Sequence, residues 1–542
     1  MKAKDLKNSI LQMAIEGKLV PQDPNDEPAS VLLKRIREEK HRLIAEGKAK
    51  FPKGGESIIY IGSDGSPYEK RVDAKGRVTS DKCIANEIPF EELPEGWCWT
   101  RLGNLLSLVS DGTHKTPQYT ETGVLFLSVQ NVSGGSFDLT KVRYISRETH
   151  EDLCRRVKPG RGDILLCRIG TLGKPIIVDV DYEFSIFVSL GLLRPVSIAI
   201  AEWICSCIDS PVGFAWIEKV KVGGGTHTFK INLGDIPDFI LPLPPLAEQR
   251  RVVKRINELM PLVEEYGELE DAREALDAAL PGRLRKSVLQ LAVRGGLVPQ
   301  DPADEPAGVL LERIRGQRRQ LVAEGKAKAP KGGESIIFAG SDGRRYEKRV
   351  DVRGRESEPV CIEDEIPFGI PEGWEWARLG SVFTKMGSGS TPAGGRKVYQ
   401  DKGPMLIRSQ NVHNEGLRLD DVAHFAYSLF AKRGSHVLPN DMLLNITGAS
   451  IGRCAIVPDT FGDADVNQHV LIMRPVLPIA SEYLHAAIIS PLVQSAIMVG
   501  QVGATKEGLS ASKAAELLVP FPPLVEQHRI VDVVDRLFKL LA

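Results

Sequence analysis

The chain of 542 residues contains no run of about 18 apolar residues, so nothing in it reads as a membrane span. Its opening, MKAKDLKNSILQMAIEGK, lacks the continuous apolar core of a secretion signal, and a reducing cytoplasm is the expected location. The eight cysteines (Cys83, Cys98, Cys154, Cys167, Cys205, Cys207, Cys361, Cys454) form no CxxC pair and have no histidines at zinc-ligand spacing, so no metal site is expected. Cys205 and Cys207, in WICSCI, read as buried thiols, with redox or metal chemistry as the alternative. A charge excess is also missing. Lys and Arg number 70 against 71 Asp and Glu, a net charge of -1, so any nucleic-acid surface must be local. With 42% hydrophobic and 26% charged residues the composition is that of a folded protein, and the length suits three or four domains.

Signatures of catalysis are scarce too. There is no GxxxxGK[ST] phosphate loop and no Asn/Asp-Pro-Pro-aromatic passage of an adenine methyltransferase. GSGST (387–391) and GGGT (223–226) read as turns, because neither sits in a strand-GxGxxG-helix unit. REEK (37–40) could suggest a nuclease carboxylate-lysine site, but its repeat counterpart is RGQR (315–318), so a solvated helix face fits better. His114 and His227 lie in polar loops without a serine-acid arrangement. The expectation is a binding protein rather than an enzyme.

What the chain does have is a repeat. GKLVPQDPNDEPAS (17–30) returns as GGLVPQDPADEPAG (295–308), an offset of 278 residues. LIAEGKAKFPKGGES (43–57) returns at 321–335, SDGSPYEKRVD (63–73) at 341–351, and LPLPPLAEQRRVV (241–253) as VPFPPLVEQHRIV (519–531). NEIPFEELPEGWCWTRLG (86–103) returns as DEIPFGIPEGWEWARLG (364–380), one residue shorter. Near-identical flanks therefore surround two dissimilar middles, 104–241 and 381–518. The middles keep a faint skeleton: FLSVQNV against LIRSQNV, GLLRP against LIMRP, and SP at 210–211 and 490–491. Short apolar runs bounded by Gly, Pro, Asn and Asp make each an α/β or mostly β module with polar loops.

The flanks read as helix. Val252, Ile256, Leu259 and Val263, and in the second copy Ile530, Val534, Leu537 and Leu541, fall at spacings of four, three and four, the rhythm of a coiled-coil seam. Leu284 and Val288 match Leu6 and Ile10. Pro244-Pro245 and Pro522-Pro523 mark strand-to-helix boundaries, and Pro261 and Pro281 are expected to bend or restart the helix. DEPASVLLKRIREEKHRLIAEG (26–47) predicts a second helix, and SIIYIGSDGSPYEKRV (57–72) a hairpin turning at Asp64-Gly65. The central segment 246–294 predicts one helical region whose second copy is split between the chain ends. The expected fold is α+β: two pseudo-symmetric α/β modules separated by long antiparallel helices, a coiled-coil-like spacer, in a circularly arranged internal repeat.

Arg, Asn, Gln, Ser and Thr read base edges, and Lys and Arg neutralise phosphates. In module one the candidates are Thr113, Lys115, Gln130, Asn131, Arg168, Thr171, Lys174, Thr226 and Lys230. In module two they are Ser388, Ser390, Thr391, Arg408, Gln410, Asn411, Thr447, Ser450, Arg453 and Lys506. Gln130-Asn131 and Gln410-Asn411 recur in both, which favours a structural or phosphate-contacting role for them. The alternative for all of them is ordinary solvated turns.

Two variable modules, each followed by PLPPLAEQRRVV or PFPPLVEQHRIV and a long helix, resemble the specificity subunit of type I restriction-modification enzymes. GKLVPQDPNDEP, IPEGWEWARLG, GSGSTP and SQNV add to the resemblance, which covers essentially the whole chain. It implies five regions: an N-terminal helical region with hairpin (1–103), target-recognition domain one (104–241), a central spacer with the repeat (242–380), target-recognition domain two (381–518), and a C-terminal helix pairing with the N-terminal one (519–542). It implies a non-catalytic subunit that binds double-stranded DNA at an asymmetric bipartite site and docks two methyltransferase subunits and two restriction subunits. No cofactor is implied in this chain. S-adenosylmethionine would be bound by the methyltransferase partner, for N6 methylation of a flipped adenine, and ATP and Mg by the restriction partner. SDGTHKTP stands where the other module has GSGSTP, which puts a shared role for that loop in doubt. A scaffold that assembles partners without touching DNA, or the recognition subunit of another methyltransferase-nuclease system, is the alternative.

Overall fold

The computed structural model describes residues 1–224, 227–391, 394–429, 435–477, 480–500 and 508–541. The chain divides into two compact units, Met1–Glu274 and Ala275–Ala542. A single helix, Leu246–Val293, begins in the first and ends in the second. Pro261 and Pro281 both lie inside it, so of the two expected outcomes, a bend or a restart, the restart does not occur.

In the first unit the helix Ala3–Ile15 runs antiparallel to the start of this long helix. The Ala3 amide donates to Glu270 Oε2 (3.0 Å), the Tyr266 hydroxyl to the Met1 carbonyl (2.8 Å), and beyond the helix Gln22 Nε2 meets Glu248 Oε1 (3.5 Å). In the second unit the same arrangement joins the helix Leu524–Leu540 to the end of the long helix. Arg285 Nη2 donates to the Leu541 carbonyl (3.2 Å) and Gln300 Nε2 to Glu526 Oε1 (3.1 Å). Each terminal helix thus lies along the part of the central helix that belongs to its own unit.

The apolar stripe does more than join two helices. Val252 and Ile256 share a core with Leu11, Ala14 and Ile15 and with Trp203 and Cys207 of the module helix Ala201–Ile208. Ile530 and Val534 share one with Leu289, Val293, Tyr483 and Ala487. Val263 and Ile10 are buried; Leu6, Leu259, Val288, Leu537 and Leu541 are half-buried. Leu284 departs from the expected seam: it is 40% exposed, because the face covered at this end is carried by Leu289, Ala292 and Val293.

The repeated passages meet one another in space, which accounts for their repetition. Gln22 Nε2 donates to the Gly17 carbonyl, and Gln300 Nε2 to that of Gly295, both at 2.6 Å. Asp26 takes Arg251, and Asp304 takes Arg529, both at 2.6 Å. The indole of Trp97 donates to buried Glu248, and that of Trp374 to buried Glu526, both at 2.9 Å. The PQDPxDEP, PEGW and PPLxEQ stretches are therefore parts of one contact set, and a change in any one strands a buried polar partner.

The expected hairpin gains a third strand. Glu56–Ile61, Pro67–Val72 and Val78–Cys83 form an antiparallel sheet with Glu56 opposite Val72; in the second copy the third strand shrinks to Val360–Cys361. Arg101 ties this sheet to its module, reaching buried Glu69 through two 3.0 Å bonds and the Asp238 carbonyl at 2.7 Å. Arg378 repeats this with Glu347 (2.7 Å) and the Glu516 carbonyl (2.8 Å).

The two dissimilar middles fold alike. In module one Leu190–Pro195 lies between Leu106–Asp111 and Ile164–Cys167, with Gly173–Ile177 outermost. In module two Val470–Pro475 lies between Phe383–Ser388 and Met442–Asn445, with Cys454–Ile456 outermost. Both add a second sheet built on one parallel pair, Phe184–Ile186 beside Val124–Leu127 and Ala464–Val466 beside Tyr399–Ile407. Both close with two short helices: Ala201–Ile208 with Pro211–Val220, the latter capped by Ser210 of the first SP pair, and Ser481–Ile488 with Pro491–Gly500. Among the described residues no single helix is long and apolar enough to cross a membrane. Cys207 is buried and Cys205 half-buried, as thiols in a helix packed on the core.

Candidate nucleic-acid interface

Of the Gln-Asn pair that the two modules share, the asparagine turns inward and the glutamine is exposed. Asn131 and Asn411, DNA-binding candidates whose recurrence favours a structural or phosphate-contacting role, are only 5% and 2% exposed. Each oxygen accepts the amide three residues earlier, Ser128 or Arg408, and each Nδ2 donates to a carbonyl across the loop, Asp138 or Arg418, all at 3.0 Å. A buried amide with both ends satisfied braces its loop and has nothing left to offer a base. The Arg of GLLRP and LIMRP is equally committed: Arg194 grips Asp163 and Arg474 grips Asp441 through paired bonds of 2.7–2.8 Å.

Arg168 is also taken inward, at 7% exposure. It donates to Asp111 (3.0 Å), the Val188 carbonyl (3.0 Å) and the Ile231 carbonyl (3.1 Å). Burial lowers its affinity for the proton from the ordinary value, and the Asp111 carboxylate acts against that. Asp111 collects His114 (3.0 Å) and Arg156 as well, an arrangement that nothing in the local spacing announced. The loops SDGTHKTP and GSGSTP do share one role. A side chain at Gly112 would place its Cβ 1.9 Å from the Ile186 carbonyl oxygen, and one at Gly389 would be 1.8 Å from that of Val466. Both glycines allow the loop to cross the neighbouring strand.

One short turn in each module stitches the polar loops together. In module one it is 187–189. The Val188 amide donates to the Thr113 carbonyl (3.0 Å), Ser189 Oγ accepts from the Val129 amide (3.1 Å), and its carbonyl accepts from the Arg168 amide (3.0 Å). The Gly170 amide donates to the Phe229 carbonyl (2.9 Å), bringing in the strand that ends at Lys230. In module two it is 467–469. Gly389 donates to the Asn467 carbonyl (3.2 Å), Thr391 Oγ1 to Gln468 Oε1 (2.6 Å), and Thr447 Oγ1 lies 2.6 Å from His469 Nδ1. Asn445 Nδ2 bridges to the Ser409 carbonyl (2.8 Å) and Ser450 Oγ (3.1 Å). Loops far apart in sequence thus converge on one end of each module.

At these ends Lys115, Gln130, Thr171, Lys174 and Lys230 are exposed in module one, and Ser388, Gln410 and Arg453 in module two. Thr113 is half-buried, its hydroxyl donating to the Lys115 carbonyl (3.0 Å). Lys174 sits 3.7 Å from Asp209, in a left-handed backbone conformation (φ 50°). Gln130 borders an open groove of ≈ 800 Å³ with Ser133, Ser136 and Thr140. Ser390, Thr391, Arg408, Thr447 and Ser450 are half-buried, and Arg408 donates to the Asp421 carbonyl (2.7 Å). Gln410 is held by Asp421 (2.6 Å). Thr226 and Lys506 lie outside the described residues. Exposed Gln468 and half-buried His469 join the set although nothing in their sequence singles them out, because NQH lies between two apolar runs and reads only as a turn. Among the described residues no group of three or more His, Cys, Asp or Glu is placed to hold a metal ion.

Comparison with known proteins adds the following. The family profile described as the type I restriction modification DNA specificity domain matches residues 371–542. The EcoAI specificity subunit of Escherichia coli is 26% identical over 99% of this chain and 89% of its own length. The EcoEI specificity subunit of the same species is 25% identical over the same shares. The crystal structure of the HsdS subunit from Thermoanaerobacter tengcongensis overlays with a TM-score of 0.39, at 16% identity, covering 84% of this chain and 92% of that one.

Proposed function

The chain belongs to the family of type I restriction-modification specificity subunits, and from that membership we propose that it selects the DNA sequence on which such a system acts. The carrying observation is the division of labour inside the modules. Of the Gln-Asn pair common to both, Asn131 and Asn411 are buried braces while Gln130 and Gln410 are exposed, and the other exposed loop ends differ: Lys115, Thr171 and Lys230 in one, Ser388, Gln468 and Arg453 in the other. Two surfaces of one architecture and different chemistry suit two different half-sites. Phosphate contact falls to the lysines and Arg453, and base reading to Gln130, Thr171, Gln410 and Gln468.

The chain acts with methyltransferase and restriction subunits. We take the doubled flanks as docking places for two copies of the methyltransferase, and by the same symmetry for two restriction subunits. Methyl transfer to adenine N6, S-adenosylmethionine binding and ATP-driven cleavage belong to those partners, and this chain supplies no cofactor.

Exchanging residues 104–241 for the matching module of a relative, then mapping methylated adenines in cells, tests the reading. One half of the recognised sequence should change and the other persist. An unchanged methylation pattern would refute it.

A further inference from the structure

The loop after the helix Ala29–Ala45 is written twice, as EGKAKFPKGG (46–55) and EGKAKAPKGG (324–333), with one difference. The exposed face of the helix before it has diverged. Lys34, Glu38, His41 and Arg42 stand opposite Glu312, Gly316, Arg319 and Gln320, and the first of these pairs reverses sign. Exposed positions a turn or two away were thus free to change, yet the loop lysines did not. The glycines have a backbone reason to stay: Gly47 and Gly54 take φ of 71° and 88°, and their counterparts 70° and 80°. The lysines have none. Lys50, Lys53, Lys328 and Lys331 are exposed, and among the described residues their ammonium groups make no ion pair. The fold does not require them, so a ligand must. That ligand is anionic and the same in both halves.

Position 51 distinguishes between two kinds of anionic ligand. Phe51 faces Ala329, so the one large apolar side chain in the loop is the residue that differs between the copies. A protein interface depends on such anchors and is poor in lysine. A phosphate backbone needs only charge and is identical whatever the base sequence. We propose that the two loops bind the phosphate backbone of duplex DNA, a sequence-independent grip that both halves keep while the reading surfaces diverge. This deepens the function proposed above and rests on it.

The test uses the chain assembled with its methyltransferase subunits, comparing wild type with the variant carrying Lys50→Gln, Lys53→Gln, Lys328→Gln and Lys331→Gln. Affinity for a duplex containing the methylated site is measured against salt concentration. Removing one lysine–phosphate pair should flatten the slope of log K against log salt by about 0.9, so a total of about 2–4 is expected, with the methylated sequence unchanged. An unaltered slope overturns the proposal and leaves the recognition function standing. Failure of the variant to assemble with the methyltransferase also overturns it, in favour of an acidic protein partner. A wild-type complex that selects no duplex removes the recognition reading, and this proposal with it.

Discussion

Replacing Arg101 with methionine keeps most of the aliphatic stem and removes one charge from a buried network. Glu69 is fully buried and the Arg101 side chain is 7% exposed. The change deletes two bonds to Glu69, one to Glu87 and one to the Asp238 carbonyl. Removing one partner of a buried pair costs about 3–5 kcal/mol. Arg71 Nε, 2.9 Å from Glu69 Oε1, still neutralises part of the charge. The expected loss is therefore about 2–4 kcal/mol at neutral pH. Its pH dependence follows from Glu69. Burial opposes ionisation there, but hydrogen bonds from Arg101 and Ser57 and the charges of Arg101 and Arg71 outweigh it, holding the carboxyl below its ordinary range. A depressed carboxyl contributes stability above the unfolded value, which is lost as pH falls through the folded one. Without Arg101 burial dominates, Glu69 protonates more readily, and the deficit of the variant shrinks between about pH 7 and about pH 5. Urea unfolding of the full chain, with hydrogen exchange over 56–103 to localise the loss, measures this. A deficit under about 1 kcal/mol, or one equal at both pH values, refutes the reasoning. Arg378→Met removes the matching contacts to Glu347 and should behave in the same way.

The helix stripe and the loop crossings give further tests. Ile256→Asp puts a carboxylate into the core shared with Leu11 and Trp203 and should cost a few kcal/mol, whereas Leu284→Asp, on an exposed face, should stay within about 0.5 kcal/mol. Equal losses of melting temperature for the two would show that the stripe has been misplaced. Gly112→Ala and Gly389→Ala force a Cβ into the backbone of the neighbouring strand, and each should lower the stability of its own module by about 1–3 kcal/mol. Unchanged melting would mean that the crossing can widen without strain.

Much of the architecture follows from local order. The turn at Asp64-Gly65, the Pro-Pro boundaries and the stop at Gly47 depend on backbone chemistry within a few residues, and each appears in the structure where the sequence places it. Leu284 departs from expectation, and neither proline restarts the helix, because heptad spacing says which residues align on a face. It does not say which stretch of that face is covered, nor whether neighbouring bonds carry the helix through a proline. The third strand at Val78–Cys83 has no signature in the sequence because all six of its residues are exposed and lack an alternating pattern.

By itself the sequence determined that one frame is built twice around two unlike modules, because duplication is visible residue by residue. Only the tertiary structure decided which polar residues of those modules face solvent. Asn131 and Gln130 are neighbours of similar chemistry, yet one is sealed by two backbone bonds and the other is left in water. Asp138 reaches Asn131 from across its own loop, while Ser189 for the loop ends and Asp111 for Arg168 arrive from other parts of the chain. A side chain's availability is thus a property of the packed module, not of its local sequence.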